Sequence, residues 1–236
     1  MNISGIQKLT LLDYPGKVAC TVFISGCNFR CPYCHNSSLV LSKNVETDNL
    51  IRETDLLSFL DSRKGIIDGV VITGGEPLLN RELPQLIEKI KSLGYKIKLD
   101  TNGSNPGLLK EIVSKGLVDK IAMDIKSSPG GYSKAAGLNH LDFTSIDDSK
   151  NFIMSLDSRY VEYEFRTTVV KGIHRVKDIS ELAKWIKGAE NYYLQQFKNS
   201  KDLINPTGLE AYDEREMNVF AEAVRPYVPK VQLRGI

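Results

Sequence analysis

No stretch of this 236-residue chain is apolar over anything near the roughly 20 residues that a bilayer crossing demands. The longest apolar runs, such as Asp68–Thr73 and Tyr192–Leu194, are far shorter, so no membrane partner is expected. The N-terminus has no basic region leading into an apolar core, which argues against a secretory leader and makes the cytoplasm the expected compartment. Charge of one sign is also missing. The 31 basic and 29 acidic residues leave a formal net charge of +2, well mixed along the chain. A nucleic-acid track would need basic residues gathered on one face, so no nucleic-acid partner is expected. Cysteine is scarce at four residues, too few and too clustered for a disulfide framework. There is no Gly-x-Ser-x-Gly elbow, no His-Glu-x-x-His pair and no Walker lysine. The three histidines (His35, His140, His174) are scattered, which gives a hydrolytic triad little support.

What is present is an ordinary globular composition, 42% hydrophobic and 25% charged, patterned as alternating strands and helices. Runs rich in Val, Ile, Tyr or Phe predict strands at Val18–Ser25, Gly69–Thr73, Lys96–Asp100, Lys120–Asp124, Glu162–Val170, Tyr192–Phe197 and Lys230–Arg234. Apolar residues at three- and four-residue spacing predict helices at Glu53–Arg63, Leu83–Leu93, Gly107–Lys115, Asp148–Leu156, Asp178–Ile186 and Asp213–Val224. Ser127–Phe143 reads as a long loop. Such alternation implies parallel strands joined by right-handed crossovers. The expected architecture is α/β, a single-domain partial (β/α)6 TIM-like barrel of parallel strands, with a doubly wound sheet as the competitor. Residues 1–236 form one unit: a lead-in over 1–17, a core over about 18–197, and a C-terminal helix and final strand over 198–236.

Three cysteines fall within eight positions, Cys27-Asn28-Phe29-Arg30-Cys31-Pro32-Tyr33-Cys34. They follow the first predicted strand, so the thiols would sit at its C-terminal end, where α/β folds bind ligands. Three soft thiolates suit iron–sulfur or zinc. A cubane of four irons held by three cysteines leaves one iron open to a small ligand. The competing site is a structural zinc in which His35 is the fourth ligand. Structural zinc more often clamps two separated ligand pairs than one short loop. Cys20, inside the strand, reads as an inert buried thiol.

The Cys-x3-Cys-x-aromatic-Cys spacing, with Tyr33 as the aromatic, resembles the signature of the radical S-adenosylmethionine (SAM) superfamily. Later strand ends supply similar motifs in order. Thr73-Gly74-Gly75-Glu76-Pro77 resembles the family's Gly-Gly-Glu turn, whose glycines admit close backbone approach and whose carboxylate can accept from an ammonium. Leu99-Asp100-Thr101-Asn102-Gly103 and Met123-Asp124-Ile125-Lys126 resemble segments of glycyl-radical-enzyme activases of the pyruvate formate-lyase activating type. The stretch Gly5–Lys17 and the compact length bring the chain nearest to anaerobic ribonucleoside-triphosphate reductase activating proteins.

The resemblance implies a [4Fe–4S] cluster on Cys27, Cys31 and Cys34, with SAM chelating the open iron and no catalytic residue beyond cluster and SAM. It places the SAM amino group near Gly74, Gly75, Glu76 and Asp100, a ribose hydroxyl on Asp124 and the methionine carboxylate on Lys126. Tyr33, Thr101 and Asn102 join the binding set. A monovalent cation near Asp100 and Asp124, with Thr101 and Met123, is a further implication. Arg166, an arginine among apolar strand residues, needs an anionic partner that SAM or an internal carboxylate could supply. The related activases carry a histidine at the end of the sixth strand; here Gln196 is the expected substitute for its ribose contact. The implied reaction is reductive cleavage of SAM to a 5′-deoxyadenosyl radical, which makes a glycyl radical on a partner, anaerobic ribonucleotide reductase being the expected one. A flavodoxin or ferredoxin would be the electron donor. A radical SAM enzyme acting on a small molecule, like 7-carboxy-7-deazaguanine synthase, and a non-catalytic zinc module are the alternatives.

Overall fold

The structure is a computed structural model that describes residues 1–41 and 50–236. Among these, eight strands form one sheet in sequence order: β1 (Ile3–Thr10), β2 (Ala19–Ile24), β3 (Gly69–Gly74), β4 (Lys96–Thr101), β5 (Lys120–Asp124), β6 (Glu162–Val169), β7 (Tyr192–Gln196) and β8 (Val231–Arg234). β1 runs antiparallel to β2, and every later pairing is parallel. The helices are α1 (Ser37–Leu41), α2 (Glu53–Asp61), α3 (Leu83–Ser92), α4 (Pro106–Ser114), α5 (Tyr132–Ala136), α6 (Phe143–Met154), α7 (Val176–Trp185) and α8 (Glu214–Val224). Six strand–helix crossovers lead from β2 to β8, giving the expected partial TIM-like barrel. No helix among the described residues is long and apolar enough to cross a membrane.

Two elements depart from the sequence expectation. The lead-in contains β1, which is exposed at Gln7, Lys8 and Leu9 and whose pairing with β2 is broken by two register shifts. Its β signal is weak because tertiary pairing, not burial of alternate residues, makes it a strand. The expected loop over Ser127–Phe143 holds a 3-10 turn (Pro129–Gly131), α5 and the first residue of α6. Asp142 starts α6 by accepting a hydrogen bond from the Thr144 N–H.

Strand alternation sorts the sheet's two faces. On β4, Ile97 and Leu99 turn outward into the helix-covered core with Leu86, Ile87 and Ile90 of α3. Each such fully buried side chain contributes roughly 2 kcal/mol of burial free energy. Lys98 and Asp100 turn the other way, into the barrel, where Arg166 of β6 meets Asp100. In the same interior, Arg234 of β8 reaches Glu164 of β6. TIM-barrel interiors are typically layers of branched apolar side chains, whereas this one is held by ion pairs.

Candidate active site

The site lies at the C-terminal rim of β2 to β6. β2 is followed by Ser25-Gly26, and the cysteine loop turns over the barrel mouth from there. Main-chain contacts fix it. Gly26 N–H donates to the Leu39 carbonyl at 2.9 Å, Arg30 N–H to that of Ala136 at 2.8 Å, and Glu76 N–H to that of Gly26 at 2.7 Å. Gly75 packs so closely that a Cβ there would lie 1.9 Å from the Gly26 oxygen. The Gly-Gly turn after β3 and the cysteine loop are thus in backbone contact. Asn36 adds a side-chain tie, donating from Nδ2 to the Gly74 carbonyl at 3.0 Å.

Cys27, Cys31 and Cys34 are free thiols that line a cavity of ≈ 260 Å³ together with the ends of β3 to β7. Two donors face the Cys27 sulfur: Phe29 N–H at 3.3 Å and Asn102 Nδ2 at 3.8 Å. Burial pushes the Cys31 thiol up to about 12, so the thiolate forms there only with a cation close by. Among the described residues no three His, Cys, Asp or Glu side chains gather tightly enough to hold one metal ion. A tetrahedral zinc needs such a gathering, whereas cysteine ligands of a cubane bind separate irons and stand farther apart. His35 lines the cavity, with Nδ1 3.3 Å from Ser200 Oγ and its ring beside Phe197. Cys20 is fully buried in the outer core.

A chain of charges forms the opposite wall. Lys98 Nζ donates to Asp100 Oδ1 at 2.6 Å, and Arg166 Nη1 to Asp100 Oδ2 at 3.1 Å. Arg166 Nε donates to Asp124 Oδ1 at 2.8 Å, and Lys126 Nζ to Asp124 Oδ2 at 3.1 Å. Burial opposes ionisation of Asp124, but Arg166 and Lys126 outweigh it and hold the carboxyl down at about 2. Asp100 is held below its ordinary range against the same burial by Arg166 and Lys98. Three cations thus face two carboxylates, and the surplus positive charge suits a carboxylate-bearing ligand. Arg166 has its anionic partners inside the protein. Lys98 and Arg166 hold Asp100, and Arg166 and Lys126 hold Asp124, the two carboxylates beside which the resemblance implies a monovalent cation.

Two expected contacts lie elsewhere. Glu76 is fully buried and turned away from the cavity: Oε1 accepts from Leu78 N–H (3.0 Å) and Thr101 Oγ1 (2.8 Å), and Oε2 from Asn102 N–H (2.5 Å). Burial raises its pKa to about 7 despite those donors. Its side chain binds the ends of β3 and β4 together. Gln196 donates from Nε2 to the Tyr212 carbonyl at 2.8 Å, and Gln195 lines the cavity in its place. Successive strand residues face opposite sides, so a one-residue offset exchanges the two glutamines. Tyr33, Gly74, Gly75, Asp100, Thr101, Asn102, Asp124, Lys126 and Arg166 all line the cavity.

Sequence reading did not single out Lys98, Asn36 or His174. Lys98 was findable, because it stands two residues before Asp100 on one strand and so shares its face. His174 accepts from Val170 N–H at Nδ1 (3.1 Å), and Nε2 lies 2.7 Å from the Lys126 carbonyl. It is therefore the neutral Nε2–H tautomer, and burial lowers its pKa to about 4. It fixes the backbone that carries Lys126. No local pattern announces that role.

The model of the radical SAM superfamily matches residues 21–144 of the chain, more than half of it. The chain belongs to that superfamily. A Methanocaldococcus jannaschii protein whose name assigns it to glycyl-radical enzyme activation is 29% identical over 243 residues, which cover 99% of this chain and 96% of the relative. The pyruvate formate-lyase-activating enzyme of Clostridium pasteurianum is 30% identical, over 80% of this chain and 78% of its own. Among solved structures, Streptococcus suis SuiB bound to S-adenosylmethionine superposes with a TM-score of 0.67 at 16% identity, over 91% of this chain and 52% of SuiB. That likeness shows the shared fold. The chain is a radical SAM enzyme, of a family that works with a [4Fe–4S] cluster and SAM.

The residues present fit both groups. Three unpaired thiols line the cavity without converging on a single-ion site. The Tyr33 hydroxyl, buried on the cavity wall, has no hydrogen-bond partner among the described residues, and a ligand acceptor would satisfy it.

Proposed function

We propose that this enzyme generates a glycyl radical on a partner enzyme, with anaerobic ribonucleoside-triphosphate reductase as the partner. The observation that carries this reading is its nearly end-to-end match to a relative named for glycyl-radical enzyme activation. The resemblance of the stretch Gly5–Lys17 to activating proteins of that reductase supports the choice of partner.

In this reading Cys27, Cys31 and Cys34 hold the cluster. When bound, the reduced cluster and SAM together supply a 5′-deoxyadenosyl radical, a strong hydrogen-atom abstractor. The chain's own residues bind and position. Lys126, held by Asp124 and by the His174 contact to its carbonyl, presents an ammonium to the methionine carboxylate. Asp100 and the backbone of Gly74 and Gly75 receive the amino group, and Asp124 and Gln195 lie where the ribose would be read. Glu76 serves this region as a brace and not as a contact. Phe29 N–H and Asn102 Nδ2 direct hydrogen bonds at the Cys27 sulfur, a type of contact that tunes cluster potential. A flavodoxin or ferredoxin delivers the electron.

The test is anaerobic reconstitution with iron and sulfide, followed by incubation with SAM, reductant and the candidate reductase under EPR. A glycyl doublet that depends on this protein is the expected result, and Cys31→Ala should abolish it together with the cluster absorption near about 400 nm. SAM cleavage without a protein radical across several glycyl-radical enzymes would overturn the reading in favour of a small-molecule substrate.

A further inference from the structure

A second cavity, of ≈ 990 Å³, lies on the same C-terminal rim. It is bounded by the segment that follows β5 (Ser127–Gly131), the segment that follows β6 (Gly172–Arg175), and α7. His174 and its bond to the Lys126 carbonyl stand between it and the first cavity. Nothing in the proposed reaction uses it.

Its inner wall carries two serines that are almost wholly enclosed, Ser127 at 2% exposure and Ser128 at 7%. No side-chain hydrogen bond ties either hydroxyl to the described residues, and neither oxygen is sealed from solvent, so both open onto the cavity. Two adjacent hydroxyls with no protein partner, both open to one cavity, are free to donate to a ligand there. They also converge. A Cβ on Gly131 would lie 2.7 Å from Ser127 Oγ and 3.5 Å from Ser128 Oγ, so the missing side chain at Gly131 leaves space for an atom that both can reach.

The charge around this point is positive. Arg175 is paired with Asp178 and Lys184 with Glu181. Lys134, which donates to the Gly172 carbonyl at 3.2 Å, and Lys177 line the cavity with no carboxylate partner among the described residues. Hydroxyl donors beside a glycine turn and unpaired ammonium groups form an environment for a multivalent oxyanion.

We infer that this cavity binds the phosphoryl group of a small molecule, with Ser127 and Ser128 as inner donors and Lys134 and Lys177 as counter-charges. A cavity of this size has room for more than one phosphate, so free phosphate, pyrophosphate and a nucleoside triphosphate are the sources to compare.

The experiment is calorimetric titration of the reconstituted full-length protein with inorganic phosphate, pyrophosphate and ATP, at constant ionic strength and with saturating SAM to fill the first cavity. Saturable one-site binding by at least one of the three is expected, and the arm that binds most tightly identifies the source. Ser127→Ala should weaken it about tenfold, the effect of one lost hydrogen bond to a charged group. The same variant should keep or raise the urea midpoint, because the hydroxyl has no protein partner to lose. Lys177→Gln, at an exposed position, should weaken binding without touching the fold. Failure of all three anions to saturate would overturn the assignment. So would affinity unchanged in both variants, competition with SAM, or equal binding of an oligoglutamate of matched charge.

Discussion

Lys98 Nζ lies 2.6 Å from Asp100 Oδ1, two residues along the same strand, with both side chains directed into the barrel. The pair is nearly sealed from water: the Lys98 side chain is 2% exposed and that of Asp100 14%. Their replacements should be unequal. Asp100→Asn leaves a buried ammonium without its closest partner, and should cost about 3 kcal/mol in urea denaturation. Lys98→Met should cost less, because Arg166 still engages Asp100 through Oδ2. Equal losses would mean that the pair does not act as a unit.

The backbone contact between the cysteine loop and the Gly-Gly turn gives a second prediction. Gly75→Ala would place a Cβ 1.9 Å from the Gly26 oxygen, a clash between rigid main-chain segments. The loop must lift, at a cost of roughly 1–3 kcal/mol for overpacking. Iron content per chain after reconstitution should fall well below wild type, alongside a lower Tm.

Glu76→Gln conserves shape but not acceptors. An amide can keep the Leu78 N–H and Thr101 bonds at its one oxygen, yet it turns an NH2 group toward the Asn102 N–H. The Asn102 N–H and the introduced NH2 group are both left unpaired, so stability should drop by at least about 1–3 kcal/mol. Asn102 should also shift, and with it the donor facing Cys27, which cluster EPR can detect.

His174 makes stability depend on pH. Its folded pKa of about 4 lies below the ordinary 6.5, so the unfolded chain takes up the proton first as pH falls. The stabilisation is fully present above pH 6.5 and is lost progressively as pH drops toward 4. Linkage gives a loss of about 2 kcal/mol by pH 5. Urea midpoints measured from pH 7.5 to 5 should therefore fall more steeply for the wild type than for His174→Asn, since the variant has no group to titrate there.

Strand-end chemistry was legible because a parallel α/β array puts sequence-adjacent motifs on one rim. Cys27, Cys31 and Cys34, then Gly74-Gly75, Asp100 and Asp124, meet at one cavity as their order along the chain implies. Parity within a strand was harder to read. Gln195 and Gln196 are chemically identical, and only the register of β7 against β6 decides which faces inward. Glu76 could not be placed from sequence, because its buried partners are two backbone N–H groups and a hydroxyl, none of which leaves a pattern. β1 was missed for a related reason: its identity comes from pairing with β2.

An apolar void tends to shrink when nothing fills it, since the surrounding side chains gain contacts by moving in. The ionic lining of this barrel has no such option, because moving Arg166 inward would break its bonds to Asp100 and Asp124. The chamber therefore keeps its shape before any ligand arrives. Little of the binding free energy is then lost to ordering the wall, and the dipoles that must face the reacting centre are already oriented.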